Sequence, residues 1–510
     1  MIAQVSSCGL MGVDGFIVQV ETDIANGLPS FDIVGLPDAA VRESKERVRA
    51  AIKNADLSFP VKKITINLAP AHIKKEGASF DLPISMAILA AAGQVNMQAI
   101  SEYLFIGELS LNGELRKVNG ALPIAIAARN KGFRKLIVPQ ENAHEAAAVK
   151  GIEIYPAKTL RQIVGHLTGK KCLAPFTIDV DAFFSADTQY DVDFSEVKGQ
   201  ENIKRGLEVA AAGGHNLLMI GSPGAGKTMI AKRVPTILPD MTFEEALEVT
   251  KIHSVAGLVP DNTPIITTRV FRSPHHTISN ASLVGGGRIP RPGEMSLAHH
   301  GVLFLDELPE FKKDALEVMR QPLEDGIVTI SRVSASLTYP CNTMLIASMN
   351  PCKCGFFGDP VKACTCTPLQ IQNYLSKISG PLLDRMDIQV QVAPVKYQDL
   401  QDEHISDSSF QIKQRVNEAR ERQLSRYKKD NFFSNAQLSP KQMEQHCILG
   451  AKEKQLLQDV FDKMGLSARA YHKILKVART IADLEGAEKI GRSHLAEAIQ
   501  YRSLDQKFWK

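Results

Sequence analysis

The chain has 510 residues, too many for one compact core, so about two to four domains are expected. Its 44% hydrophobic and 23% charged residues are ordinary for a soluble globular protein, and eight cysteines in so long a chain do not suggest a disulfide scaffold. The start MIAQVSSCGLMGVDG lacks a basic segment followed by an apolar one, and the most apolar window, Leu82 to Val95, is too short to span a bilayer; no secretory signal is expected, and a cytoplasmic protein without a membrane partner is.

In chain order, Phe16 to Thr22 and Lys63 to Leu68 are rich in β-branched residues, as strands are. Between them, Ala39 to Ala55 carries apolar residues at helical spacing (Ala40, Val41, Val48, Ala51, Ile52), with Asp38 where an N-cap belongs. The Leu82 to Val95 window reads as a core helix, and a second αβ pattern runs through Ile137 and Ile154. This α+β region ends near Gly169. Ala174 to Glu196 is acidic with few helix signals and reads as a linker or extended strap. From Gly199 long helical patterns alternate with short apolar strands, the signature of a sheet covered by helices. Beyond Val395 only helices are expected: Gln411 to Arg426, Lys452 to Met464, Ala468 to Leu484 and Arg492 to Arg502.

The net charge of +4 is uneven. Residues 1–170 have 19 basic and 16 acidic side chains, 171–409 have 21 and 28, and 410–510 have 20 and 12. The basic terminal segment suits a polyanionic partner, or equally a solvated helical surface.

The chemistry concentrates in three strand ends. The apolar run Leu217 to Ile220 leads into Gly221-Ser222-Pro223-Gly224-Ala225-Gly226-Lys227-Thr228 and then a helical segment. Glycines at these spacings let backbone N–H groups turn toward phosphates, with Lys227 on the β- and γ-phosphates of ATP and Thr228 on Mg2+. A chance Gly-rich turn would not sit between a strand and a helix. Val302 to Leu305 delivers Asp306, for the Mg2+ shell, and Glu307, to orient and deprotonate a water. Thr343 to Ser348 ends in Met349-Asn350-Pro351; Asn350 is placed for the γ-phosphate or the water, against the alternative of an Asn capping a turn before proline.

Downstream come Leu382-Leu383-Asp384-Arg385-Met386-Asp387 and Ser467-Ala468-Arg469-Ala470-Tyr471. With the three strand ends, they follow the order used by AAA+ proteins of the magnesium-chelatase and MCM-helicase branch, and the whole chain resembles the ComM (YifB) family of magnesium-chelatase-like proteins. The resemblance implies an arginine finger at Arg385 acting in trans on a neighbour's ATP, a sensor-2 arginine at Arg469, and a ring, usually a hexamer. It further implies a DNA helicase or branch-migration motor on single-stranded and branched DNA in natural transformation or homologous recombination.

Two inserts resemble pore elements of that branch: an Ile327 to Tyr339 hairpin carrying Arg332, and the Ser273 to Arg291 loop carrying Arg288 and Arg291. These arginines suit a phosphate backbone, or are solvated loop residues. His275, His276, His299 and His300 fit no usual zinc spacing and are expected to be structural. Cys352, Cys354, Cys364 and Cys366 form C-x-C-x9-C-x-C. Four thiolates suit a structural zinc, although pairs are usually separated by more residues; the competing reading is four free thiols. Cys8, Cys172, Cys341 and Cys447 read as isolated thiols.

The N-terminal region resembles the Lon-protease/ribosomal-S5 fold, and Lys75-Glu76-Gly77-Ala78-Ser79 is similar to the segment carrying Lon's serine nucleophile. Leu122 stands where Lon has its lysine, and Phe80-Asp81 replaces the following glycine, so a protease-inactive module is expected. The expected organisation is an α/β multidomain chain: a Lon/S5-like α+β domain over 1–170, a linker over 171–195, an AAA+ αβα P-loop core over 196–400 and a helical lid over 401–510. The rivals are an ATP-dependent protease, a magnesium-chelatase motor subunit, and a protein-remodelling ATPase.

Overall fold

The computed structural model describes residues 2–185, 190–287, 290–332, 335–359, 361–395, 406–428 and 432–509. The chain forms two compact units.

The first unit comprises Met1–Asp187 with Phe243–Thr267 and Val333–Tyr339. Its strands are β1 (Ile2–Met11), β2 (Asp14–Ala25), β3 (Ser30–Val34), β4 (Lys63–Ala69), β5 (Tyr103–Phe105), β6 (Lys135–Pro139) and β7 (Glu153–Ala157). They make one sheet in the order β3-β4-β2-β1-β5-β6-β7. The β1–β2 and β2–β4 pairs are antiparallel, while β3–β4, β1–β5, β5–β6 and β6–β7 are parallel. Alternation along β4 puts Ile64, Ile66 and Leu68 wholly inside. The expected helix is Ala39–Asn54; the Asp38 carboxylate accepts the Val41 N–H at 2.8 Å, and Val41, Val48, Ala51 and Ile52 are buried at helical spacing. The apolar window becomes Asp81–Ala91, a helix buried at every position. Helix Phe243–Ala256 belongs to this unit, where Glu145, deeply buried, accepts hydrogen bonds from the Ser254 hydroxyl and the Leu122 N–H. Burial pushes the Glu145 carboxyl above its usual range.

The second unit comprises Thr188–Thr242, Thr268–Arg332 and Pro340–Lys510. Its central sheet is wholly parallel: β8 (Leu217–Gly221), β9 (Phe271–Arg272), β10 (Val302–Leu305), β11 (Met344–Met349) and β12 (Ile388–Val392), in the order β9-β10-β11-β8-β12. Leu217 pairs with Ile346 on one side and Ile388 on the other, and Phe304 also pairs with Ile346. Every residue of β8, β10 and β11 is buried, which parallel strands covered on both faces require.

The four expected C-terminal helices are Ser409–Arg426, Ala451–Met464, Ala468–Leu484 and Arg492–Gln500. Ala468–Leu484 packs on Glu201–Gly213 and Ser409–Arg426, and its Arg479 is buried against Asp483. The end of the acidic segment expected as a strap is a packed clasp: Phe194 is fully buried in a 3-10 turn, and the Asp193 carboxylate accepts N–H groups from Ser195 at 2.8 Å and Ser409 at 3.2 Å. Among the described residues no helix is long and apolar enough to cross a membrane.

Candidate functional site

The C-terminal ends of β8, β10 and β11 carry the predicted chemistry. At Gly221 a Cβ would lie 2.4 Å from the Val392 carbonyl oxygen, so only glycine lets β12 come this close. Ser222 and Ala225 are buried while Pro223 and Gly224 are exposed, and Gly224 and Gly226 take φ of +80° and +83°. Gly226 opens the helix Lys227–Arg233. The Lys227 ammonium donates to the carbonyls of Gly221 at 2.7 Å and Ser222 at 3.1 Å, and to Asn350 Oδ1 at 3.1 Å. Burial lowers its pKa, opposed by Asp306 and Glu307.

Thr228 Oγ1 donates to Asp306 Oδ2 at 2.6 Å. The other carboxylate oxygen accepts the Ser348 hydroxyl and, at 3.0 Å, the Glu307 N–H. Glu307 adopts a left-handed φ of +54°, unusual for a non-glycine residue, and its carboxylate is exposed, with His276 Nδ1 at 4.0 Å. Lys227, Thr228, Asp306, Glu307 and Asn350 are therefore one constellation, with oxygen donors that suit Mg2+ and a cation and backbone turn that suit phosphate. Ser348 was not singled out by sequence reasoning; a hydroxyl two residues before Asn350 in an apolar strand was the available signal.

The two arginines are elsewhere. Arg385 Nε donates to the Arg320 carbonyl at 2.8 Å, one terminal nitrogen to the Pro381 carbonyl at 2.7 Å, and the other pairs with Glu324. Its own carbonyl accepts Asn216 Nδ2 at 3.0 Å, and Asn216 immediately precedes β8. Arg385 is thus fixed at the start of the strand whose far end carries the phosphate loop, about 15 Å away along five residues. Arg469, 61% exposed, lies 3.9 Å from Asp384, beside Arg385 and at the same edge.

Asn216 is a second residue that sequence reasoning missed. Its Oδ1 accepts the Leu345 N–H at 2.8 Å, and its N–H donates to Asp387 Oδ2 at 3.1 Å. Asp387 also meets the Lys473 ammonium at 3.2 Å. Burial alone would raise the Asp387 carboxyl, but Lys473, His215 and Lys476 hold it well below the usual carboxylate range.

The four cysteines come together. Cys352 Sγ is 3.3 Å from Cys354 Sγ and 3.6 Å from Cys364 Sγ, Cys354 and Cys364 are 3.5 Å apart, and all four sulfurs, Cys366 included, lie within 4.8 Å of one another. Backbone N–H groups, chiefly those of Phe356 and Thr365, draw the Cys354 thiol down to about 5. Cys8, Cys172, Cys341 and Cys447 are free thiols.

Arg291 is exposed and pairs through its backbone with Gly286 in a short antiparallel ladder. Arg288 lies outside the described residues, as does the side chain of Arg332, which ends the strand Ile327–Arg332. The hairpin segment also holds the strand Ala335–Pro340. His275 Nδ1 pairs with Thr277 and His299 Nδ1 accepts the Asn342 N–H at 3.0 Å.

In the first unit, the Ser79 hydroxyl is hydrogen-bonded to no described residue. Lys75 gives its ammonium to the carbonyls of Pro70 and Ile73, and Leu122 is fully buried.

Three magnesium-chelatase family models match the chain: "Magnesium chelatase, subunit ChlI" over residues 193–400, "Subunit ChlI of Mg-chelatase" over 20–142, and "Magnesium chelatase, subunit ChlI C-terminal" over 406–502. The chain is 43% identical over 508 residues to competence protein ComM of Haemophilus influenzae, covering 99% of this chain and 98% of that protein. It is 44% identical over 499 residues to the uncharacterized protein YifB of Escherichia coli, covering 97% and 96%. A shorter likeness, 25% over 171 residues, joins 32% of the chain to 26% of the archaeal Lon protease of Methanocaldococcus jannaschii. With end-to-end identity at this level and a phosphate-loop sheet at its centre, the chain belongs to the ComM/YifB family of magnesium-chelatase-like AAA+ proteins.

Proposed function

We propose that this protein is a ring-forming ATPase, a hexamer by its branch, that drives branch migration or unwinding of single-stranded and branched DNA. Hydrolysis is assigned to the constellation at the sheet's C-terminal edge. Lys227 and the backbone of Gly221 to Gly226 hold the phosphates; Thr228 and Asp306 hold Mg2+, with Ser348 fixing the carboxylate. Glu307 takes a proton from water, and Asn350 orients that water or the γ-phosphate.

The observation that carries the ring is the separation of the two arginines from this site. The Arg385 backbone and Arg469 lie together at the start of β8, whose far end carries the loop of their own chain about 15 Å away, and Arg385 reaches a neighbour's loop by exchanging Glu324 for the neighbour's phosphate. Arg385 is then the finger and Arg469 the sensor-2 group, both reading the neighbour's nucleotide. The four cysteines are assigned a structural zinc.

The DNA substrate is supported by the family, by the name of the Haemophilus relative as a competence protein, and by the basic terminal segment. We assign this motor to natural transformation or homologous recombination, in the cytoplasm. Arg288, Arg291 and Arg332 are the candidates for backbone contact. The Lon-like reading of residues 1–170 is retained as a protease-inactive module, because Ser79 has no base and Leu122 occupies the lysine position.

The test is ATP-dependent migration of a labelled three-way DNA junction. Movement lost in Lys227→Ala is expected. ATP hydrolysis indifferent to DNA, with no junction movement, would redirect the assignment to protein remodelling.

A further inference from the structure

The segment from Cys352 to Cys366 has no apolar core of its own. Cys352 and Gly355 are buried, Val361 is 84% exposed, and the remaining described residues are half-buried or exposed. Yet it closes on itself with three sulfur-to-sulfur distances of 3.3, 3.5 and 3.6 Å. A tetrahedron of zinc–sulfur bonds of about 2.3 Å has edges of about 3.8 Å, so these sulfurs stand close to the geometry of a tetrathiolate ion. A metal would supply the staple that a loop with so little buried apolar surface lacks.

The loop also lies on the phosphate loop. Gly355 takes φ of +89°, and a Cβ there would fall 2.4 Å from Pro223 Cδ and 2.6 Å from Cγ, so the backbone packs directly on the proline ring. Asp359 accepts the N–H groups of Val361 at 2.9 Å and Lys362 at 3.0 Å, within the loop itself. Before the loop stands Asn350, joined to Cys352 through Pro351 and bonded to Lys227. After it, Thr367 caps the helix Pro368–Leu375, in which Tyr374 is buried. Gly355 on Pro223 and Asn350 on Lys227 thus tie the cysteine loop to the nucleotide constellation, while Phe357 packs on the ring of Phe508.

We infer that Cys352, Cys354, Cys364 and Cys366 bind one zinc ion whose presence sets the affinity of the phosphate loop for ATP, by fixing Gly355 against Pro223 and Asn350 on Lys227. The inference rests on the assignment of that loop to nucleotide. Coupling of this kind is reciprocal: if zinc tightens ATP binding, ATP slows zinc release by the same free energy.

The full-length chain is tested by elemental analysis, by the cobalt-substituted absorption spectrum, and by titration with a fluorescent ATP analogue before and after zinc is withdrawn with a mercurial and a chelator. About one zinc per chain and a tetrathiolate charge-transfer band on cobalt exchange are expected. Nucleotide affinity should fall on the order of tenfold on withdrawal and return when excess dithiol strips the mercurial from the cysteines, the dithiol is removed and zinc is added back. A non-hydrolysable ATP analogue should slow zinc release to a chelating dye. Gly355→Ala, which keeps all four thiols, should retain zinc and still bind nucleotide more weakly. Iron in place of zinc, or no metal and four freely titrating thiols, overturns the site. Zinc bound but nucleotide affinity unmoved by its withdrawal and by Gly355→Ala overturns the coupling. Failure of the zinc-loaded chain to bind the analogue sinks the ATPase assignment instead, while the metal count still decides the site.

Discussion

The two ends of the parallel sheet in the second unit are built on opposite plans. At the C-terminal end, functional groups are bonded to one another: Thr228 to Asp306, Ser348 to Asp306, Lys227 to Asn350. At the N-terminal end, Arg385 and Arg469 pair with Glu324 and Asp384, acidic residues of their own chain. The first end is preorganised by its own hydrogen bonds. The second end carries positive charge that its own chain pairs with Glu324 and Asp384. Under the proposed function such a division would make hydrolysis depend on assembly, because a site would be completed across a subunit boundary.

The largest expected effect tests that division directly. Arg385→Ala should lower ATP turnover by about 10^3-fold or more while leaving nucleotide affinity of the isolated chain unchanged. Mixing Arg385→Ala with Lys227→Ala chains should recover turnover, since one interface in the mixture regains both groups. Absence of any recovery across mixing ratios would break the comparison and return the arginine to its own chain. Next in size is Glu307→Gln, expected to cut turnover by about 10^2- to 10^4-fold with ATP still bound, measured by single-turnover hydrolysis beside equilibrium binding.

Ser348→Ala sharpens the description of the first end. Loss of one hydroxyl from Asp306 should reduce turnover about tenfold and raise the Mg2+ concentration needed for half-maximal rate. An unchanged Mg2+ dependence would mean the carboxylate is positioned without it. Asp387→Asn addresses the second end and should change turnover least in chains that remain folded. It leaves Lys473 short of its charge partner, so denaturant unfolding should show a loss of about 3 kcal/mol. Because the folded Asp387 carboxyl is held below its unfolded value, its stabilisation is present above the ordinary carboxylate range and fades as pH falls through it. The Asn variant should therefore lose part of the wild-type acid sensitivity.

What the sequence made legible was local. The phosphate loop, the Asp306–Glu307 strand end and Asn350 each announce themselves by an apolar run followed by a polar residue, since a buried strand must end where its chemistry begins. Asp38 as a cap and the four C-terminal helices follow from equally short-range patterns. Ser348 was not legible because a small hydroxyl in a strand has no periodic signature; its meaning comes from Asp306, 42 residues away. Asn216 was hidden for the same reason, its partners being Leu345, Arg385 and Asp387. The packing of Gly355 on Pro223 could not be anticipated from a cysteine pattern that spoke only of a metal.

Asn216 also has a mechanical meaning. One amide side chain ties the start of the phosphate-loop strand to the backbone of Leu345 and of Arg385, and the residue's own N–H reaches Asp387. Short strands pinned together at their base behave as a stiff rod. In the proposed ring, a pull exerted on Arg385 by an adjoining subunit would be delivered through Asn216 along β8 to Gly221. The same rod would carry the recoil of a departing phosphate back to the adjoining subunit, so that firing order around a ring could be kept by leverage alone.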